Sequence, residues 1–318
     1  MKNLFKYILL SILLSPLQVL QAQDCNISIS AIVDPGFAKV TSETASALQT
    51  QLERLITQAK MDAERSNANF AVTAKFDQLD RHIVGGAPVQ IVNMFGVTLY
   101  LVDLDNQKFL KSVYVEVKGV GGNDTKASMD AVRQLNAGNR KINMFFSSAK
   151  QEIINYYDAQ MASILKDARI KASMKKYDEA LGMLIVVPTC CNGYDAAMKE
   201  ALDIYAQYRD VYFSHELNKA KALWAGNPTQ EGGIPVVAIL SSIDPEAKCY
   251  LEAMSLLSQV ARVVKSDVDF ESKIKYRDGI ELEKLRVQAI GEIGKAYAAN
   301  HPRTNIAFLG QGAVVGVQ

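Results

Sequence analysis

The spacing of apolar residues changes once along this 318-residue chain, and this change constrains the fold more than any other feature. Before Asn139, apolar and polar residues alternate in several short runs, which is the period of half-buried strands. From Asn139 onward, apolar residues recur every three or four positions, as in helices that bury one face. The pattern predicts an α+β protein, with a mixed α/β, sandwich-like sheet domain over residues 23–138 and an all-α helical repeat domain over 139–300.

The first domain is predicted to form one sheet with a helix on one face. Thr41 or Ser42 can cap that helix, and its apolar stripe continues to about Glu64. Turn-forming residues at 103–107 join the last two strands as a hairpin. The predicted strands are 27–33, 69–80, 89–102 and 109–117.

A glycine-rich segment at 119–125 joins the last strand to a helix that is expected to end at Gly138. A glycine loop between a strand and a helix can cradle a phosphate with backbone N–H groups. Here no lysine occupies the P-loop position, and Asp124 would repel an anion. The segment is therefore expected to be a tight turn with Asn123 or Asp124 as the helix cap.

A helix–turn–helix pattern occupies residues around 168–188. Ala168 lies nine positions before Tyr177, which two acidic residues and Ala180 follow, and Pro188 closes the unit. This pattern resembles the tetratricopeptide repeat family, although the proline arrives about four residues early. The resemblance covers one unit closely and residues 157–265 loosely. It implies stacked helix pairs that form a concave surface for a peptide or protein.

An internal similarity also favours a helical repeat. Pro188 and Tyr194 are followed by alanines and a methionine, and the same order recurs at Pro245 and Tyr250. The two tyrosines are 56 residues apart, and cysteine precedes each of them. Each block is expected to be a loop followed by a helix.

Four cysteines are disulfide candidates: Cys25, Cys190, Cys191 and Cys249. Three pairings are open. A bond between the adjacent Cys190 and Cys191 would strain the peptide that joins them, so each is expected to pair elsewhere. Cys249, in the corresponding loop, is the natural candidate partner.

Four aromatic residues in the helical domain are the candidate partner-binding residues: Tyr205, Tyr208, Tyr212 and Trp224. The tyrosines recur at helical spacing, and an aromatic stripe in a groove of stacked helices can bind a peptide. The alternative is that these rings fill gaps between helices.

The N-terminus has the layout of a secretory signal peptide. Lys2 and Lys6 precede an apolar run over residues 7–20, which is shorter than a membrane-spanning helix requires. We expect a signal peptide over 1–22 that is cleaved after Ala22, with an uncleaved anchor as the alternative.

Export predicts a location in the periplasm, at the outer membrane or outside a Gram-negative cell. Cys25 invites lipid attachment, but Asp24 occupies the position where a small residue is required. The apolar, glycine-rich segment 301–318 is expected to be a C-terminal tail that docks as an extra strand or stays loose.

Composition and motifs exclude several function classes. Lys and Arg number 35 against 34 Asp and Glu, so no global charge attracts nucleic acid. His82, His215 and His301 belong to no spaced metal motif, and no cofactor motif is present. No serine or cysteine has the context of a nucleophile, so we assign no catalytic residue, although residues distant in sequence could converge.

These observations favour a non-catalytic envelope adaptor or scaffold that binds a protein or peptide partner. A hydrolase of an envelope polymer and a structural component of a secretion or surface assembly are the alternatives. By topology alone, the first domain resembles the periplasmic domains of the curli secretion pore and of penicillin-binding-protein activators. The whole chain resembles exported Gram-negative proteins that join such a domain to degenerate helical repeats.

Overall fold

The computed structural model describes Cys25 and residues 27–64, 68–264 and 279–301. The predicted signal peptide and residues 302–318 of the predicted tail lie outside the described residues. The strands are β1 (Ser28–Ala31), β2 (Asp62–Ala63), β3 (Phe70–Val84), β4 (Gln90–Asp103) and β5 (Lys108–Gly121). The helices are α1 (Pro35–Ala38), α2 (Ser42–Gln58), α3 (Asp124–Gln134), α4 (Arg140–Ser173), α5 (Tyr177–Ile185), α6 (Tyr194–Gly226), α7 (Gln230–Leu240), α8 (Tyr250–Val264) and α9 (Gly279–Asn300).

The protein has the expected α+β architecture. The strands form one mixed sheet in the order β2-β1-β3-β4-β5, in which β1 is parallel to both of its neighbours and β3, β4 and β5 are antiparallel. Alternate residues of β5 are buried from Val115 to Gly121, as the sequence period predicted, whereas residues 70–74 of β3 are all buried. The hairpin turn lies between β4 and β5, where the turn residues predicted it.

The end of α2 differs from the prediction. The helix begins at its Thr41 cap but ends at Gln58 instead of near Glu64, because Lys60 adopts a left-handed φ of 57°. The chain then returns to the sheet as β2, which pairs in parallel with β1. This two-residue strand forms one edge of the sheet.

The glycine-rich segment 119–125, which includes the end of β5, brings this strand into close contact with α3. Asn123 caps α3, because its side-chain oxygen accepts a hydrogen bond from the N–H of Lys126 at 2.8 Å. A Cβ atom on Gly119 or Gly121 would collide with the α3 backbone near Ala127. The helix ends at Gln134, four residues before the predicted Gly138. The Asn123 cap is the one that the turn interpretation expected, and Gly119 and Gly121, at the end of β5, also permit α3 to pack closely.

Replacement of Gly119 by alanine should lower the free energy of unfolding by about 2–3 kcal/mol, because the methyl group must displace α3. Gly122→Ala is the matched control, since no atom lies within 4 Å of a Cβ at that position. Urea unfolding of the two variants measures the difference. Equal stability of the two variants would contradict this account of the packing.

The loops that precede α6 and α8 are held in the same way, 56 residues apart. The N–H of Asn192 donates to the Asp158 carboxylate at 2.8 Å, and the N–H of Lys248 donates to the Asp210 carboxylate at 3.3 Å. Each carboxylate belongs to the preceding long helix, α4 or α6. Two successive long-helix and short-helix pairs therefore end in loops with equivalent anchors.

Two large hydrophobic cores meet within α6, and a small third cluster consists of Ala71, Val102 and Leu104. The first core joins the inner face of the sheet to α2–α5 and to α6 as far as Tyr205, and it includes Ile290 of α9. The second core begins at Phe213 of α6 and continues through α7 to Val264. The 33-residue helix α6 therefore connects the two cores.

Helix α9 packs on α5 through small residues. A Cβ atom on Gly182 would lie 3.0 Å from the ring of Tyr297, and Gly294 of α9 faces the side chain of Ile185. The close approach brings the C-terminal helix against the first helix pair. Among the described residues, no helix has the length and apolar composition needed to cross a membrane.

Candidate functional site

A disulfide bond lies where the sheet meets the helical region. Cys25, just before β1, is bonded to Cys190 in the loop before α6, and their Cα atoms are 5.0 Å apart. The expected pairing of Cys190 with Cys249 is therefore wrong. Cys249 belongs to the loop of the second helix pair and contributes to the second core, whereas Cys190 packs against the first.

This bond bears on lipid attachment at Cys25. A lipoprotein cysteine carries its lipid on the sulfur atom as a thioether, and the sulfur of Cys25 is bonded to that of Cys190. The same sulfur cannot do both. The geometry therefore agrees with the sequence argument from Asp24 against lipidation.

The other two cysteines are buried thiols without the character of nucleophiles. Burial raises the pKa of Cys191 to about 11, and the nearby charge of Asp158 adds to the effect. Burial also raises the pKa of Cys249. Reactive cysteines have lowered pKa values, so these two are suited to packing and not to catalysis.

Three tyrosines from two helices form a continuous aromatic surface, which we call the tyrosine face. Tyr208 and Tyr212 of α6 stack with ring centroids 5.4 Å apart and an interplanar angle of 22°. Tyr177, the first residue of α5, meets Tyr208 edge-on at 6.1 Å. Tyr212 is 43% exposed, and Tyr177 and Tyr208 are half-buried. The face therefore presents ring surface to solvent on a rigid helical support.

The tyrosine face has an acidic border. Burial raises the pKa of Tyr208, and its neighbours Tyr212, Asp178 and Glu216 raise it further. Asp178 is exposed at the start of α5, whereas Glu216 lies one helical turn beyond Tyr212. The surface is therefore aromatic with carboxylates at its edge.

The structure separates the four aromatic residues that the sequence grouped. It brings Tyr208 and Tyr212 together, but Tyr205 is 4% exposed and belongs to the first core. Trp224 packs against the second core beside Gly233. It lies 12 residues beyond Tyr212, which is about 18 Å along a helix. Tyr208 and Tyr212 thus share one accessible surface, whereas Trp224, which is also half-buried, lies apart from them.

A charged network lies where the two cores meet. The Arg286 guanidinium of α9 donates two hydrogen bonds to the fully buried Asp244 carboxylate, at 2.9 and 3.1 Å. Arg209 of α6 donates to Glu246 at 2.9 Å, and one of its nitrogens lies 3.9 Å from Asp244. Burial opposes ionisation of Glu246, but hydrogen bonds from Arg209 and Arg286 outweigh it and lower its pKa. The network joins α6, the loop after α7 and α9.

A cleft of about 270 Å³ lies between the β2 edge, the loop after α5, and α9. Asp62 and Glu64 line it together with Lys295 and apolar side chains. Paired carboxylates in a common cleft are what most glycoside hydrolases require. The volume is close to the lower end of the roughly 300–1,000 Å³ of typical ligand sites.

The three histidines lie on separate parts of the structure. His82 pairs with Asp80 at 2.6 Å, His215 lies 3.7 Å from Glu216, and the ring of His301 stacks on Tyr297. In the part of the chain that the structure describes, no three His, Cys, Asp or Glu side chains are grouped as a metal site.

The chain has weak similarity to two solved structures. A minor lipoprotein from Acinetobacter baumannii is 13% identical, with a TM-score of 0.23, over 40% of this chain and 91% of that one. A protein from Caulobacter crescentus CB15, assigned as a lipoprotein, is 12% identical, with a TM-score of 0.22, over 39% of this chain and 83% of that one. Such low similarity supports no conclusion about function. No family model and no curated protein matches the chain.

Sequence reasoning missed Tyr177 as a member of the tyrosine face. The tetratricopeptide-like pattern placed it at the turn into the second helix of the unit, and contact with Tyr208 depends on how α5 packs against α6. The charged network was also missed, because an arginine in a helix is usually taken for a surface residue. Its spacing, four residues from both Tyr205 and Phe213, places it on the buried stripe of α6.

Proposed function

We propose that the protein is a non-catalytic adaptor or scaffold of the cell envelope that binds a protein or peptide partner through its helical region. The observation that carries this proposal is the tyrosine face. Rigid, partly exposed aromatic side chains provide contact area at a low entropic cost, and they are frequent at binding hot spots.

The acidic border suggests the chemistry of the partner. A lysine or arginine side chain can lie over a tyrosine ring and gain a cation–π interaction. Asp178 is placed to add charge complementarity at the edge, whereas Glu216 is already paired with Lys219 at 3.6 Å. A peptide segment with basic side chains would therefore suit this surface.

The proposed location is outside the cytoplasm, in the periplasm or at the outer membrane. The disulfide between Cys25 and Cys190 supports this proposal, because such bonds persist in oxidising compartments. The apolar N-terminal segment agrees with export. The raised thiol pKa values favour binding over catalysis.

Loss of the tyrosine face should remove a specific partner. We expect Tyr208→Ala with Tyr212→Ala to weaken partner binding at least about tenfold, because hot-spot aromatic residues contribute 1–2 kcal/mol or more each. The measurement is crosslinking in native cells, then affinity purification and mass spectrometry, with binding affinity measured on the recovered partner. Tyr205 and Trp224 stay unchanged, since their packing would confound the result.

Tyr114→Ala is the matched control. Tyr114 is 45% exposed on β5, outside the tyrosine face, so its removal should leave partner capture unchanged. Circular dichroism and unfolding curves must show that the double variant folds. A partner that both variants retain equally, or no partner under any condition, would refute the proposal.

A further inference from the structure

The hairpin between β3 and β4 ends in an apolar tip that solvent reaches. We call residues 83–91 the hairpin tip. Ile83 is 62% exposed, Val84 50% and Val89 52%, and the turn between the strands consists of Gly85, Gly86, Ala87, Pro88 and Val89. No charged residue occurs from Ile83 to Val102. Exposed apolar residues that adjoin one another mark an interaction site more often than scattered ones do.

The tip lies at the end of the sheet that is remote from the helical domain. At the other end, near the β4–β5 turn, Asn106 lies 3.4 Å from the hydroxyl of Tyr156 in α4, and Phe70 packs against the same tyrosine. From Phe70 to Val84, strand β3 covers about 45 Å at roughly 3.3 Å per residue. The tip is therefore separate from the tyrosine face and is available while that face is occupied.

The apolar side chains lie on both faces of the hairpin. Ile83 and Val84 are successive strand residues, so their side chains point to opposite faces, and both are exposed. Ile83 pairs with Ile91, and Val84 pairs with the uncharged Gln90. A protein groove or another sheet would cover one face of such a hairpin. A lipid surface surrounds an inserted tip on both faces.

We propose that the hairpin tip inserts into the interface of a lipid bilayer and holds the protein at a membrane surface. Apolar side chains gain free energy on leaving water, and the absence of charge at the tip removes the cost of burying ions. The hydrogen-bonded turn of the hairpin enters only as far as the headgroup region, where backbone groups stay hydrated. This contact is independent of the proposed partner binding.

The charges next to the tip indicate which lipids are required. Arg81 pairs with Asp124 at 2.8 Å, and Asp80 lies 2.6 Å from His82, which is charged only when it is protonated. The base of the tip thus has little excess charge, and the whole chain has a formal net charge of +1. Binding should therefore depend on apolar contact, with weak dependence on salt and on anionic lipid.

The test is cosedimentation of the protein from Gln23 onward, so that the apolar segment 1–22 does not itself bind lipid. Two vesicle types serve as probes: phosphatidylcholine alone, and phosphatidylcholine with phosphatidylglycerol. We expect wild-type protein to bind both with affinities within about threefold of each other. Ile83→Asp with Val84→Asp should reduce binding at least about tenfold, because two carboxylates would have to enter the interface.

Leu251→Asp is the matched control, because Leu251 is 83% exposed on α8 and far from the hairpin. Its binding should stay within about twofold of wild type, and all three proteins should unfold at similar urea concentrations because the substituted sites are exposed. Equal binding of wild type and the double variant, or no binding by wild type, would overturn the proposal. Dimerisation that requires the tip, seen by sizing in the absence of vesicles, would instead assign the tip to a second copy.

Discussion

Replacement of Asp244 by alanine is expected to lower the free energy of unfolding by about 3–5 kcal/mol. The carboxylate is fully buried and receives two hydrogen bonds from Arg286, while Arg209 lies 3.9 Å away. Removal of this partner leaves two largely buried guanidinium groups that share Glu246, with Asp210 3.8 Å from Arg209 as the other nearby carboxylate. A buried charge without its partner is among the most destabilising defects in a folded protein.

Glu246→Ala is the comparison for this prediction. Glu246 contacts both arginines, but its side chain is 57% exposed, so its loss should cost about 1 kcal/mol or less. Urea unfolding measures both variants, and a double-mutant cycle between Asp244 and Arg286 measures their coupling. A cost below 1 kcal/mol for Asp244→Ala would show that the network adds little stability and acts mainly in specifying how α9 docks.

Removal of the disulfide should have a comparable effect. We expect Cys25→Ser to lower the free energy of unfolding by about 2–5 kcal/mol, because the bond closes a loop across 165 residues and restricts the unfolded chain. Chemical unfolding in the absence of reductant measures the difference. Peptide mapping of the wild-type protein should recover Cys25 linked to Cys190.

Two controls distinguish the effect of the disulfide bond on stability from the effect of losing a cysteine side chain. Reduction should bring wild-type protein to the stability of Cys25→Ser and leave that variant unchanged. Cys191→Ala removes a buried thiol that forms no bond, so it should cost about 1 kcal/mol and keep the response to reductant. Wild-type protein that is insensitive to reductant would contradict the prediction.

Much of the sheet domain was predictable because its determinants are local. The alternation in β3, β4 and β5, the hairpin turn and the Thr41 cap are all encoded within a few residues. The end of α2 was not predictable in this way. A lysine in the left-handed region has no sequence signal, and the two-residue strand that follows depends on pairing with β1.

The disulfide and the tyrosine face show where sequence reasoning stops. Helical spacing predicted that Tyr208 and Tyr212 share a face, because they are four residues apart. Helical spacing could not show that Tyr205 packs in the first core and Trp224 against the second. This is because α6 passes from one core to the other, so its buried stripe changes partners. The pairing of Cys25 depends on how the sheet docks against the loop before α6, which is a tertiary relation.

The disulfide also has a consequence for the order in which the chain folds. Synthesis releases the N-terminus first, but Cys25 meets its partner only after a further 165 residues have emerged. Helix α5, which ends a few residues before Cys190, is itself covered by α9 near Tyr297. The first core is thus completed by segments from both ends of the polypeptide. An intermediate truncated before α9 would expose the surface of α5. Chaperones should therefore be needed to protect the chain from proteases until its synthesis is nearly finished.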